Sequence, residues 1–143
     1  MLAELKAATF NVLETMFFLF PETLYEERRS RGPFLRSWVP IAGPQTICVG
    51  LLVPQSLARK MAANFLGVSE EEIHQAEMED ILKEATNMMA GTFLSKMEVP
   101  IAVKLGTPQA SWVSLEEIKP IAPANRLLFE VEDEVLELFV EKG

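Results

Sequence analysis

Residues 80–96 of the sequence read DILKEATNMMAGTFLSK, and this stretch decides how the fold is interpreted. Its apolar residues recur with helical spacing, which predicts a helix over residues 76–96. The stretch nevertheless contains Asn87 and Gly91, which cost about 0.6 and 1 kcal/mol relative to alanine inside a helix. Neither residue lies at a helix end, where it could act as a cap, so both need another explanation.

A polar stripe emerges when this helix is drawn at about 100° per residue. Asp80, Glu84, Asn87 and Gly91 fall within roughly 60° of one another and should face outward. The arc centred roughly 150° away should be buried, and it holds Ile81, Leu82, Ala85, Met88, Met89 and Phe93. A helix running unbroken from residue 69 would turn Ile73 outward, so we expect a kink or break within residues 73–78.

Two interpretations of the stripe are open at this point. A polar stripe is often only the solvated face of a helix. Alternatively, Gly91 offers a flat place for another surface, Asn87 offers a donor and an acceptor, and Glu84 offers a charge. An amide and a carboxylate supply neither a nucleophile nor a metal. They could still act inside another protein's site, because one side-chain amide can position the attacking water in phosphoryl hydrolysis.

The chain before this helix alternates between helical and strand-like patterns. An amphipathic helix is predicted over residues 3–19, ended by Pro21, with an inward face of Leu5, Ala8, Val12, Leu13, Met16, Phe17 and Phe20. The strand LRSWVPIAG contains Pro40, which predicts an edge position. QTICVGLLV is apolar on both faces and predicts a covered central strand. A short helix over residues 55–66 should stop at Gly67.

The start of the long helix and the strands that follow it are also marked in the sequence. Ser69 and Glu72 form a capping box before the long helix, with Val68 and Ile73 at the staple positions. Strands are expected around residues 100–106, 118–122, 126–132 and 135–141. The last two should form a hairpin around Glu132, Asp133 and Glu134. The sequence therefore predicts one domain over residues 1–143, of the α/β class (α+β type), with helices packed on a largely antiparallel sheet.

Composition excludes several classes of function. The formal net charge of −8 argues against a broad nucleic-acid or anionic-membrane footprint. The one cysteine, Cys48, lies in an apolar run, which indicates a buried thiol in a reducing compartment. No apolar run approaches the roughly 20 residues of a membrane span, and the N-terminus does not read as a signal peptide. We therefore expect a cytoplasmic protein.

Few side chains are candidates for chemistry outside the stripe. His74, the one histidine, is expected to be an exposed surface residue, and the sequence has no phosphate-binding glycine loop or spaced metal ligands. Arg28, Arg29 and Arg31 lie in the polar connection YEERRSRGP. They could contact an anionic partner, but a solvated loop is the favoured interpretation.

The spacing Asp80-x3-Glu84-x2-Asn87-x3-Gly91, with EATNMMAG at its centre, resembles the signature helix of the CheC/CheX/FliY phosphatases of bacterial chemotaxis. The order of elements resembles the CheX type over nearly the whole chain: NVLETMFF in the first helix, GLLVP ending an apolar strand, FLG ending a helix, and a terminal strand hairpin.

The resemblance implies a phosphatase that acts on the aspartyl-phosphate of CheY-like response regulators. Glu84 would pair with a conserved lysine of the regulator, Asn87 would orient the hydrolytic water, and Asp80 and Gly91 would contact the partner. The Mg²⁺ would belong to the regulator, so no cofactor or metal site of the chain's own is implied.

The first helix bears on the subtype. CheC-type members carry two such motifs, whereas here Asn11 and Glu14 stand in the reverse order. This favours the CheX type and, by resemblance, a homodimer. A rival hypothesis is a non-catalytic binding module of the same fold, as in flagellar switch proteins, although a scaffold would need neither Glu84 nor Asn87.

Overall fold

An antiparallel sheet carries three helices on one of its faces. The structure, a computed structural model, describes residues 1–97 and 103–142. The helices are α1 (Leu2–Met16), α2 (Gln55–Leu66) and α3 (Gln75–Lys96). The strands are β1 (Glu22–Leu24), β2 (Phe34–Ala42), β3 (Ile47–Pro54), β4 (Lys104–Leu105), β5 (Gln109–Val113), β6 (Arg126–Val131) and β7 (Glu134–Lys142). Within the described ranges, no helix has the length and apolar character needed to cross a membrane.

The sheet is built around β3, which pairs with β2 on one side and β7 on the other. The strand order is β1-β6-β7-β3-β2-β4, with β5 also paired to β2, and every pairing is antiparallel. The predicted fold class and the central position of QTICVGLLV are confirmed. Cys48 is a free thiol and is half-buried, less enclosed than its apolar neighbours predicted.

The hydrophobic core lies between the sheet and the helices. Helix α3 packs against α1 and α2 and against β2, β3 and β5. Strands contribute to this layer through alternate residues, because successive side chains of a strand point to opposite faces. Phe17 and Phe129 are the largest fully buried side chains of this layer.

The end of α1 differs from the prediction. The helix ends at Met16 rather than near Pro21, because Phe18 adopts a left-handed backbone conformation with φ of 55°. The N–H of Leu19 then donates to the carbonyl of Leu13 at 3.0 Å, so the chain turns back onto the last turn of the helix. The prediction that Met16 and Phe20 face inward is wrong, since both are exposed.

Strand β2 is not an edge strand, so the prediction made from Pro40 is wrong. The strand pairs with β3 along its length and with β4 and β5 on its other side. Pro40 falls between the residues paired to β5 and those paired to β4, and its carbonyl accepts from Gly106 N at 2.7 Å. Its missing N–H points to the same side as its carbonyl, into this interruption, so the proline breaks no ladder bond.

The later strands were predicted in part. The segment 118–122 is not a strand; a short 3-10 helix at Leu115–Glu117 and irregular backbone occupy this region. Two strands were not predicted: β5, whose five residues contain two polar ones, and the three-residue β1. Of the strand expected around residues 100–106, only Lys104–Leu105 is observed, and residues 100–102 lie outside the described residues.

Predictions from turn chemistry agree with the structure. Helix α2 spans Gln55–Leu66, and Gly67 ends it with a left-handed φ of 69°. Strands β6 and β7 form the expected hairpin, with positive φ at Glu132 and Asp133, as a two-residue turn of the primed type requires. The capping box of Ser69 and Glu72 is present, but it begins a 3-10 turn at Glu70–Glu72 and not the long helix.

Candidate functional site on helix α3

Helix α3 begins after the break that Ile73 was expected to require. Ile73 is extended and 2% exposed, so the interruption between the 3-10 turn and α3 keeps its side chain in the core. The long helix then begins at Gln75, where the Glu77 carboxylate accepts from the backbone N–H of His74 at 2.8 Å. His74 itself is exposed, as predicted. This cap fixes the start of the helix 2–3 turns before Glu84.

The buried side of α3 sets its orientation. Five of the six residues predicted to be inside are buried, namely Ile81, Leu82, Ala85, Met89 and Phe93. The sixth, Met88, is half-buried and reaches the edge of the polar face. Met78 and Ala90 also belong to the core. This apolar arc holds the helix on the sheet with its opposite side toward solvent.

A buried polar pair adds a specific contact between α3 and the sheet. The hydroxyl of Thr86 lies 2.8 Å from Ser37 Oγ, and Ser37 Oγ lies 3.1 Å from the carbonyl oxygen of Leu82. Thr86 Oγ1 is also 2.9 Å from that carbonyl. Both hydroxyl residues are 0% exposed, so their hydrogen bonds form away from water, where a lost partner is expensive. The pair ties α3 to β2 directly beneath the Glu84 and Asn87 region.

Sequence reasoning missed this pair, although one signal was available. The same 100° arithmetic places Thr86 about 160° from Glu84, within the buried arc. A threonine there needs a partner, because buried polar groups are hydrogen-bonded. The partner Ser37 lies 49 residues away on β2, and no sequence spacing identifies it.

The four residues of the predicted stripe share one face of α3 and differ in exposure. Asp80 and Glu84 are exposed, whereas Asn87 and Gly91 are half-buried. A Cβ atom added at Gly91 would meet no atom within 4 Å, so nothing packed against it among the described residues requires a glycine. From Asp80 to Gly91, the outward face of α3 therefore presents two carboxylates, one amide and a stretch of backbone without a side chain.

A shallow groove of about 490 Å³ runs between α1 and α3 beside the stripe. Asn87, Met88, Gly91, Thr92 and Ser95 of α3 line one wall, Asn11, Val12, Thr15 and Met16 of α1 line the other, and Leu105 also contributes. The groove explains why Asn87 is half-buried while its neighbour Glu84 is open to solvent. Asn87 is held at the edge of a concave surface.

The arginine-containing loop does not belong to this site. Arg28 pairs with Glu130, and Arg29 Nη2 lies 3.1 Å from Glu137 Oε1 on the far side of the sheet. Glu137 is only 3% exposed, so its ion pair with Arg29 is largely shielded from water. Only Arg31 is fully consistent with the favoured solvated-loop interpretation.

The sheet face opposite the helices holds a second cavity, of about 300 Å³. Arg36 enters it from β2, stacked 4.4 Å above the Trp38 ring and 4.7 Å from the Phe139 ring, with Glu141 3.3 Å from its guanidinium. No residue of the stripe lines this cavity. Within residues 1–97 and 103–142, no group of three or more histidine, cysteine or acidic side chains is arranged to hold a metal ion.

A family model described as "Chemotaxis phosphatase CheX" matches residues 36–132, more than half of the chain, including most of β2 and all of α3. A search of curated proteins found no match. The family match therefore covers both partners of the buried hydroxyl pair and the whole polar stripe.

Solved structures with a similar fold come from several bacteria. The chemotaxis protein CheX of Desulfovibrio desulfuricans is 19% identical, with a TM-score of 0.76 over 99% of this chain and 97% of that one. CheX of Vibrio vulnificus is 20% identical, with a TM-score of 0.74 over 97% and 95%. A chain of the CheX-CheY-BeF3-Mg²⁺ complex of Borrelia burgdorferi is 13% identical, with a TM-score of 0.74 over 98% and 96%. At these identities the likeness shows a shared fold.

Proposed function

The chain belongs to the CheX family of chemotaxis phosphatases, and on that premise we propose that it accelerates hydrolysis of the aspartyl-phosphate of a CheY-like response regulator. Helix α3 would insert Glu84 and Asn87 into the regulator's active site. The observation that carries the proposal is the outward Glu84–Asn87 pair on a helix held by a buried core and by the Thr86–Ser37 contact.

Asn87 would position the water that attacks the phosphorus atom. Its amide oxygen accepts a hydrogen bond from water, which turns a water lone pair toward the phosphoryl group. Half-burial beside the groove restricts the side chain before the partner arrives, so less conformational entropy is lost on binding. By analogy with one oxyanion-hole donor, such preorganisation lowers the barrier by about 2.7–4 kcal/mol.

Glu84 would dock the helix through a lysine of the regulator. It is exposed, so its carboxylate is accessible for a charge-assisted hydrogen bond to an ammonium group. Asp80, one turn earlier, and Gly91, two turns later, would contact the partner on either side. The net charge of −8 gives no general attraction to an acidic regulator, so these local contacts must fix the docking register.

The metal chemistry would belong to the partner. A bound Mg²⁺ in the regulator neutralises charge on the phosphoryl oxygens, and the roles left to this chain are docking and water positioning. The complex of Borrelia burgdorferi, which contains CheX, CheY, BeF3 and Mg²⁺, supports a CheY-like regulator as the partner.

The activity is tested with a panel of purified receiver domains phosphorylated by a small-molecule donor. We expect the protein to accelerate phosphate release from at least one receiver, and the double variant Glu84→Ala/Asn87→Ala to lose the acceleration. Binding to a phosphorylated receiver without acceleration would instead support the non-catalytic module of the same fold. A double variant as active as the parent would refute the catalytic assignment of the pair.

We also propose that the protein is a cytoplasmic homodimer. The resemblance to CheX proteins supports the dimer. The outer edges of β1 and β5, which pair with no further strand within the described residues, give it weaker physical support, because unpaired strand edges favour pairing or cover. Light scattering at tens of micromolar should give twice the chain mass of 16.0 kDa. A mass of one chain under those conditions would contradict the dimer.

A further inference from the structure

The α1 wall of the groove has no role in the function proposed so far. Asn11 and Thr15 lie one turn apart on α1, are exposed, and line the groove opposite Asn87 and Gly91. The hydroxyl of Thr15 donates to the Asn11 carbonyl at 2.7 Å, so it is directed back onto the helix. Met16 closes this wall and is 41% exposed, a flexible apolar side chain at the end of a polar surface.

The position of Asn87 links the two walls. Asn87 is both the proposed water-positioning residue and part of the groove lining. The amide of Asn87 can reach a phosphoryl group through one water only when the two are a few ångströms apart. The receiver atoms that surround the phosphoryl group then also lie close to Asn87. Those atoms must then cover the groove, and α1 forms its far side.

The chemistry of the wall fits a protein segment better than a small ligand. The lining combines amides and hydroxyls with two methionines and a bare glycine, and none of the described residues that form it is charged. Polar groups of this kind bond to backbone and neutral side chains, while methionines adapt to apolar neighbours. The charged contact, Glu84, lies outside the groove on the same helix.

From this arrangement we propose that the α1–α3 groove receives the part of the receiver domain that surrounds the phosphorylated aspartate, with Asn11, Thr15 and Met16 as docking residues. The inference rests on the function proposed above and adds a second helix to the interface. Asn11 is assigned here to docking, and Asn87 alone positions the water.

The test uses Asn11→Trp, which fills the groove from the α1 side, and Ala3→Trp as a matched control. Ala3 is exposed on the same helix about 12 Å further along its axis, at 1.5 Å per residue. With a receiver that the parent dephosphorylates, Asn11→Trp should raise KM about tenfold and leave kcat within about twofold, whereas Ala3→Trp should change neither. Both variants should fold, because surface changes usually alter stability by less than about 0.5 kcal/mol.

A photo-crosslinking amino acid at the same two positions gives a second measurement that does not depend on turnover. The receiver is activated with Mg²⁺ and beryllofluoride, which mimics the phosphoryl group. A crosslinker at position 11 should capture this activated receiver, and a crosslinker at position 3 should not. An unchanged KM in Asn11→Trp, with no crosslink from position 11, overturns the docking role of α1. The proposed function still stands in that case, provided that the parent protein accelerates dephosphorylation. A parent that accelerates no receiver overturns both.

Discussion

Helices α1 and α3 border the same groove, and each has an amide and a carboxylate three residues apart, yet their arrangement differs. In α3 the order is Glu84 then Asn87, and in α1 it is Asn11 then Glu14. Side chains of a helix lean toward its N-terminus, so reversing the order does not reproduce the same surface. The proposed function therefore requires a particular order of the two residues and a particular support of the helix, and not the residue types alone.

The largest difference is expected from the two asparagines. Replacing Asn87 with alanine should lower kcat by about 10²–10³-fold, because the water is no longer positioned in the bound complex. Saturating regulator should not restore the rate. Asn11→Ala should leave kcat unchanged, since that amide touches no reacting group. Steady-state kinetics of the two variants with one receiver decide this, and equal losses of kcat would remove the distinction between the helices.

A smaller effect is expected from the two glutamates. Glu84→Ala removes the proposed partner of the regulator's lysine, and a charge-assisted hydrogen bond contributes about 1.5–3 kcal/mol. KM should therefore rise by about 10–100-fold, while high regulator concentration recovers most of the rate. Glu14→Ala on α1 is the matched change. A fall in kcat without a rise in KM for Glu84→Ala would show that Glu84 acts in the chemical step and not in docking.

A buried threonine on each helix shows how differently α1 and α3 are held. Thr86 joins α3 to Ser37, whereas Thr9, also buried, donates only to the Leu5 carbonyl of its own helix at 2.8 Å. Thr86→Val should lower the free energy of unfolding by about 1–2 kcal/mol, because Ser37 Oγ loses the hydroxyl that donates to it and keeps only its own bond to the Leu82 carbonyl. Thr9→Val should cost less than about 0.5 kcal/mol, since back-bonding contributes little to a helix. Denaturant unfolding measures both, and equal losses would show that the contact to β2 adds no stability.

The parts of the fold that could be predicted are those set by local rules. Gly67 ended α2 because a left-handed cap has a strong residue preference, and the polar stripe followed from helical periodicity alone. Phe18 takes the same left-handed conformation without being a glycine, so the end of α1 carried no local signal. Pro40 misled because the gap between β4 and β5 that accommodates it is a tertiary feature. The contact between Ser37 and Thr86 is tertiary for the same reason.

The smallest effect is expected at Gly91, and its sign is what tests the docking surface. Gly91→Ala should stabilise the protein by about 1 kcal/mol, because alanine is the better helix former and the new methyl group meets no neighbour within 4 Å. The same change at Gly67, where φ is 69°, should destabilise it, because a side chain strains a left-handed residue. Thermal unfolding should therefore shift in opposite directions.

If a receiver packs against the bare backbone of α3, the stabilising Gly91→Ala change should raise KM by a few-fold while kcat is kept. Higher stability together with weaker docking would explain why this helix keeps a glycine that its own folding disfavours, as functional sites often trade stability for activity. An unchanged KM, with the expected gain in stability, would leave the glycine without a role in the interface and restrict the docking contacts on α3 to Asp80, Glu84 and Asn87.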